Sequence, residues 1–383
     1  MQKKLIALAV AGLASTAAFA QSNVTVYGVA DVSFENVKAD SAVVSGENIN
    51  GRNRVNTNSS LLGFKGSEDL GNGLKALFQF ETQVDMTNTQ APNASGLTPK
   101  QSDLTSTGST FGAKRDTFVA LAGNFGTVLG GYVSTPYRSI VTGYDVVPGS
   151  AGVGNSNGVF GKVYGGTNLV FRTNAVAYAT PTFSGFSGVI AYVPNTAKSI
   201  DTTTNGNSVD PRGWNLALNY ANGGFKGAYS YLKLDDVGVG GLAGEDHRAH
   251  LLAASYDFGQ GTTLVGMYQN FKGTVDTGAA SADVKRNSYY LGLKHVLGAN
   301  EFAVAYQKAN KTSGDLVNDN TDANQWTLRY GYNFSKRTQA YAVYSRIDNK
   351  DNSNFSFGGG NSLGTVGAGS NPTAFGVGVR HSF

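Results

Sequence analysis

The feature that most constrains this chain is a two-residue alternation of apolar and polar side chains that returns along its whole length. In "LKALFQFETQV", Leu74, Ala76, Phe78, Phe80 and Val84 share one parity, with Thr82 among them. Lys75, Gln79, Glu81, Gln83 and then Asp85 share the other, with Leu77 the exception. A period of two describes a β-strand with one apolar face and one wet face. The pattern recurs in "VTVYGVADVSFE" from Val24, "WNLALNY" from Trp214, "EFAVAYQ" from Glu301, "QWTLRYGYNF" from Gln325 and "FGVGVRHSF" from Phe375.

Short and long connections alternate between these stretches. The short ones lie near Gly71, at 123–126, near Pro181, and at 221–224, 258–261, 297–300 and 334–337, and carry the Gly, Asn and Pro of tight turns. The long, polar ones cover 36–56, 86–112, 135–169, 194–212, 235–247, 272–286, 309–323 and 347–372. Seven short turns and eight long loops join 16 strands, with both chain ends on the short-turn side. A flat sheet of that size would aggregate through its edges, and only closure removes them.

The even strand number, the strands of about 10 residues and the tyrosine-rich strand ends predict an all-β, 16-stranded antiparallel transmembrane β-barrel of the bacterial outer membrane. Its apolar face then meets lipid or a neighbouring subunit, and its polar face lines water. At this strand number the interior is wide enough for an aqueous channel. The chain has no cysteine, so stability is expected from the complete hydrogen-bond ladder rather than from disulfides.

Residues 1–20 read as a secretory signal peptide: Lys3 and Lys4, an apolar run from Leu5, then Ala18-Phe19-Ala20 as the cleavage site. The barrel domain is expected over 21–383. No later stretch approaches an apolar helical span. Without Lys3 and Lys4, 28 basic residues face 26 acidic ones, and no basic run interleaved with aromatics suggests nucleic acid.

The chain resembles the trimeric general porins of beta-proteobacteria, of the neisserial type. The resemblance rests on "SNVTVYGVADV" (22–32), "LLGFKGSEDLGNGLKALFQFE" (61–81), "FVALAGNFGTVLGG" (118–131), "FRTNAVAYATPTFSGFSGVIAY" (171–192), "ASYDFG" (254–259), "YNFSKRTQAYAVYSR" (332–346) and "GVRHSF" (378–383). It implies a homotrimer, short periplasmic turns, long external loops and a third external loop folded into each pore. It also implies passive diffusion of small hydrophilic solutes and ions, with an anion preference set by basic residues at the waist. Outer-membrane lipid and lipopolysaccharide are the implied surroundings, and Phe383 is the implied signal to the barrel-assembly machinery. Gly131 stands where the family usually carries an arginine, so the expected anion preference is weak.

A diffusion pore requires a narrow waist and a transverse field, not a catalytic group or a cofactor. The inserted loop is expected at 135–169, where Arg138, Asp145 and Lys162 are the only charges. Glu81, Arg115, Arg329 and Arg346 are read as lumen-facing near mid-height. Lys65, Lys75 and Arg380 have lumen parity nearer the short turns. Arg172 joins the candidates, although parity breaks around it.

Enzyme signals are weak. "GNSNG" at 154–158 matches a nucleophile elbow but lies in a glycine-rich loop. His247 and His250, beside Glu245 and Asp246, fall on opposite faces of a strand. The acidic stretches 314–324 and 348–354 are read as hydrated loop tips, with weak calcium binding as the alternative. A hydrolase barrel, an adhesin and a sugar-specific channel remain rival readings. The last would require an aromatic track that the lumen parity lacks.

Overall fold

The computed structural model describes residues 23–84, 86, 115–149, 152–163, 167–194, 211–239, 242–276, 281–315, 319–358, 363 and 366–383. The signal-peptide assignment and most of the expected loops 86–112 and 194–212 lie outside the described residues, as does the side chain of Glu245.

Sixteen strands form one closed antiparallel sheet. They are β1 (Asn23–Asp40), β2 in two segments (Ile49–Thr57 and Leu61–Gly71), β3 (Leu74–Gln83), β4 (Thr117–Gly123), β5 (Gly126–Ser134), β6 (Arg172–Ala179), β7 (Phe186–Val193) and β8 (Arg212–Asn222). The second half comprises β9 (Phe225–Val239), β10 (Leu242–Asp257), β11 (Thr262–Asp276), β12 (Ser281–Leu297), β13 (Asn300–Ala309), β14 (Ala323–Asn333), β15 (Thr338–Asn349) and β16 (Asn371–Ser382). A two-residue ladder at Ser313–Gly314 decorates the edge of β12.

Closure is made by β1, which pairs with both segments of β2 on one side and with β16 on the other, from Val29↔Ser382 to Asp40↔Asn371. Phe383 completes the seam. Its N–H donates to Gly28 O at 3.1 Å and its C=O accepts from Gly28 N at 3.0 Å. The terminal ring lies over Gly28, where a Cβ would come within 2.7 Å of Leu61 O and 3.0 Å of a Phe383 ring carbon.

The inverted polarity holds around the wall. Val26, Phe34, Phe80, Val119, Leu216, Leu328 and Phe375 are exposed on the outside, while Asn215, Ser230, Gln269, Ser288, Gln307 and Thr327 are buried inside. The expected loops 36–56, 235–247 and 272–286 are largely strand: pairing runs to Ala39↔Ile49, Val239↔Leu242 and Asp276↔Ser281. Beyond the membrane only the outer face meets water, while the inner face packs on the inward loops, so the alternation reverses: Val37, Leu234, Phe271 and Val284 are buried inside, and Lys38, Lys272 and Lys285 are exposed outside. That is why polarity alone read these segments as loops.

The third external connection folds inward. It opens with helix α1 (Pro136–Tyr144), with Pro136 in its first turn and Thr135 Oγ1 accepting from Arg138 N at 3.2 Å. Small inward residues on the wall, including Ala217, Ala249, Ala253, Ala303 and Ala305, make room for Tyr137, Ile140, Val141 and Phe160 of the loop. Polar wall residues then hold its backbone. Asn215 accepts from Tyr137 N at 2.7 Å, and Tyr290 OH accepts from Val146 N at 2.9 Å. Gln307 accepts from Phe160 N at 3.1 Å and donates to Asn155 O at 3.1 Å, and Thr327 donates to Gly154 O at 2.9 Å. Tyr137 OH reaches Gln269. A loop buried against a wall must satisfy its amides, and these side chains supply the partners.

The last external connection also turns inward. Phe355, Phe357, Leu363 and Val366 pack with Val37 and Ile347 of the upper wall and with Val153 and Val159 of the inserted loop.

Two outcomes test this architecture. Leu328→Arg on the outer face, midway between the Trp326 and Tyr330 levels, should cost about 2–4 kcal/mol in urea unfolding from lipid vesicles. Gln307→Leu strands the Phe160 N–H and the Asn155 C=O, at about 1–3 kcal/mol each. Single-channel records of that variant should be larger and noisier, and quiet records of unchanged size would contradict the docking role.

Candidate functional site

With the inserted loop held against β8–β14, the free side of the lumen is the wall running from β14 through β16 and β1 to β3. That wall is a chain of cross-strand polar contacts. Arg329 on β14 donates to Glu301 of β13 at 3.1 Å and to Gln339 of β15 at 2.6 Å, and its guanidinium lies 4.6 Å from the Tyr341 ring centroid. Tyr341 OH donates to Asp31 of β1 at 2.7 Å, and Arg380 of β16 donates to the same carboxylate at 3.0 Å. Next along, Glu35 accepts from Ser33 Oγ at 2.7 Å and from Arg54 Nε at 2.9 Å. The kink between the two segments of β2 re-aims Asn58 into this network, where it donates to Ser33 Oγ at 2.8 Å and Tyr341 OH at 2.9 Å. Ser59 in that kink has φ 58°.

Glu81 on β3 accepts from Tyr27 OH at 2.8 Å and lies 3.5 Å from Arg115 Nε. Lys65 sits 5.0 Å from the centroid of the Tyr27 ring. Arg172, at the root of the inserted loop, donates to Asp116 at 3.0 Å, and Asp116 also accepts from Ser134 N at 2.6 Å. Arg138 on α1 donates to Val170 O at 3.1 Å. Burial, reinforced by nearby Arg172, lowers its pKa to about 10, which leaves it charged at neutral pH.

The other two loop charges are set in the packing. Asp145 accepts from Ser156 N at 2.6 Å, Val147 N at 2.9 Å and Tyr290 OH at 2.9 Å. Burial raises its pKa, and these donors oppose the rise. Lys162 donates to Ser356 O at 2.7 Å, joining the two inward loops, and burial lowers its pKa to about 8.

Arg346 is a correction. It pairs in register with Trp326 and Thr373 on the outside face and is bonded to Asp348 at 2.6 Å. The inward positions of β15 are Tyr341, Val343, Ser345 and Ile347. "YAVYSRI" carries apolar residues on both parities, so local alternation does not choose a face there. The neighbouring strands do.

Several lumen residues escaped the sequence reading. Asp31, Glu35 and Glu301 stand on the polar parity of alternating stretches and Arg54 in a polar run, but nothing local to them showed the cross-strand partners that make them part of the site. Lys226 and Lys294 line a chamber of about 680 Å³ beside α1, together with Asp257. Their parity, four places from Ser230 and four from Tyr290, was the available signal. The wall residues that hold the loop, Asn215, Gln269 and Gln307, were visible only as generic polar positions.

Two sets stand out among the lumen charges. Asp31, Glu35, Glu81 and Glu301 each contact an arginine. Lys65, Arg138, Lys226 and Lys294 have no carboxylate in ion-pair contact among the described residues. Gly131 leaves no room for the arginine that the resemblance would put there, because a Cβ would press on the Thr117 carbonyl and Phe118. Ser156 of the elbow-like "GNSNG" lies in a buried single turn, Ser156–Gly158, and His247 faces in while His250 faces out.

The family described as Gram-negative porin matches residues 7–352. Outer membrane porin protein 32 of Delftia acidovorans is 35% identical over 390 aligned residues, covering all of both chains. Major outer membrane protein P.IB of Neisseria gonorrhoeae is 30% identical over 89% of this chain and 92% of its own. A solved anion-selective porin from Comamonas acidovorans superposes with a TM-score of 0.74 at 31% identity, covering 95% of this chain and 100% of that one. The inside-out wall, the inserted loop and these relatives lead to one conclusion: the chain belongs to the Gram-negative porin family and forms an outer-membrane channel for passive diffusion of small hydrophilic solutes and ions.

Proposed function

We propose that the channel is weakly anion-preferring and works as a homotrimer, exported by way of a cleaved leader over 1–20. In this reading, Glu81, Arg115, Arg138, Asp145, Lys162, Arg172 and Arg329 shape the waist and its field, and Phe383 serves as the assembly signal. The observation that carries the anion preference is the surplus of lumen cations. Carboxylates on the free wall are matched by arginines, while Lys65, Arg138, Lys226 and Lys294 are left over. A paired charge contributes a local dipole, whereas an unpaired one contributes a field across the water path. The relative from Comamonas acidovorans, an anion-selective porin, supports the same sign. The trimer rests on the family resemblance, and three linked conductance levels in planar bilayers would test it.

Zero-current potentials across a salt gradient test the selectivity. Arg138→Gln removes a cation with no paired carboxylate. It should lower the anion-to-cation permeability ratio by roughly twofold, the effect of about 0.4 kcal/mol of field energy. Arg115→Gln and Arg329→Gln should shift the ratio the same way, because each frees a carboxylate. Unchanged potentials in all three would remove these residues from the selectivity mechanism.

A pH series follows from Lys162. Its lowered pKa, about 8, means that it loses its proton between pH 7 and 9 while an ordinary lysine keeps it. The anion preference should therefore fall over that interval in the native channel and stay flat in Lys162→Met. For stability the sign is opposite. Between about pH 8 and 10 the unfolded chain binds the extra proton, so docking of the two inward loops strengthens as pH rises through 8. Fewer spontaneous closures at pH 9 than at pH 7 is the expected record.

A further inference from the structure

The outer face of β9–β12 carries an arrangement that permeation does not explain. Lys233, Arg248, Lys272 and Lys285 are direct register partners, one after another, across four neighbouring strands. Like charges placed opposite each other in a sheet repel. Only Lys233 has a carboxylate partner among the described residues, Asp235 at 2.7 Å. Lys308 on β13 is exposed nearby, opposite Tyr289. The carboxylates of Asp246 and Asp283 belong to positions farther from the membrane, so the cations lie on its side of them.

Height gives the rung a meaning. One step toward the membrane lie Tyr231, His250, Asn270 and Asn287, and the next step brings Tyr229, Leu252, Tyr268 and Tyr289. Tyrosines at that level mark the boundary between hydrocarbon and headgroups. The rung sits just beyond it, on the long-loop side. Three strand spacings of about 4.8 Å spread its four cations over roughly 14 Å, wide enough for more than one phosphate. Directly below, a trough of about 930 Å³ runs down the outside of the barrel between Ile190, Leu216, Leu218, Tyr229 and Tyr231, and Arg248 and Lys272 stand at its top.

We propose that this face is a docking site for a multiply phosphorylated, acylated glycolipid of the outer leaflet, the lipid A portion of lipopolysaccharide. Its phosphates sit on the Lys233–Arg248–Lys272–Lys285 rung and an acyl chain fills the trough. The proposal rests on the outer-membrane porin assignment and deepens it by naming the site. The bound phosphates offset the repulsion along the rung.

The test compares bisphosphorylated lipid A with its dephosphorylated form, binding each to the detergent-solubilised native protein by native mass spectrometry. The phosphorylated lipid should bind about tenfold tighter or more. The triple variant Arg248→Gln, Lys272→Gln, Lys285→Gln should lose that difference while keeping heat-modifiable migration and native conductance, since the rung lies outside the lumen. Millimolar inorganic phosphate should not displace the lipid. Equal binding of the two lipids by the native protein, a phosphate preference retained in the triple variant, or displacement by inorganic phosphate would each overturn the proposal. The two-lipid comparison needs no variant, so poor assembly of the triple mutant leaves the proposal falsifiable. Loss of conductance steps in the native protein would instead indict the porin assignment.

Discussion

Every amide in the hydrocarbon layer must find its partner within the protein, and the structure answers this with one ring of strands closed by β1. That strand is where the requirement is hardest to meet. Its first part pairs with the second segment of β2, and its later part pairs with β16 and with the first segment of β2. Gly28 lies at the point of exchange, and its missing side chain lets the terminal ring of Phe383 close over the backbone. The two ends of the chain thus complete one another's hydrogen bonds. Inverted side-chain polarity is a consequence: once the ladder is closed, the outer face can be as apolar as lipid and the inner face is free to be wet.

The freed interior is then partly refilled. Alanines on β8, β10 and β13 reduce the wall so that the helix and the chain after it can lie against it, and amides and hydroxyls on alternate strands bind the loop's backbone. The result is an asymmetric lumen, with one side packed around the loop and the other a sequence of arginine–carboxylate contacts. Water and ions are left the second side and the chamber beside α1 that Lys226 and Lys294 line. In the proposed reading, selectivity depends less on the number of arginines than on which cations lack a carboxylate partner.

Much of this could be read from the sequence because alternation is a strong signal wherever one face is lipid. Phe78 and Gln79, Trp214 and Asn215, Leu328 and Arg329 all separate as their hydropathy says. The legibility ends where the lipid ends. The upper parts of β1, β9, β11 and β12 have water outside and packed loop inside, so their polar residues point outward, the reverse of the lipid-facing pattern, and resembled loop. Arg346 falls in the same zone, where Tyr341 and Tyr344 occupy opposite parities and neither face is uniquely apolar. The inward loop was legible from its low charge and its place in the family pattern. Its anchors, Asn215, Gln269 and Gln307, were not, because a polar residue that holds an amide looks like one that meets solvent. Ion pairs such as Glu35–Arg54 and Asp31–Arg380 join residues on different strands, and only the register brings them together.

The contact between the inserted loop and the last external loop has a consequence for how such a channel can diversify. Val153 and Val159 meet Phe355 and Phe357, and Lys162 is tied to the Ser356 carbonyl, so the bore is braced by two distant parts of the chain gripping each other. Two further connections hold the last loop from outside: Val43 N donates to Ala368 O at 2.9 Å, and Asn352 N donates to Asn320 O at 2.9 Å. A change of length in any of these segments is therefore passed on to the aperture, which ties what the cell displays there to what it admits.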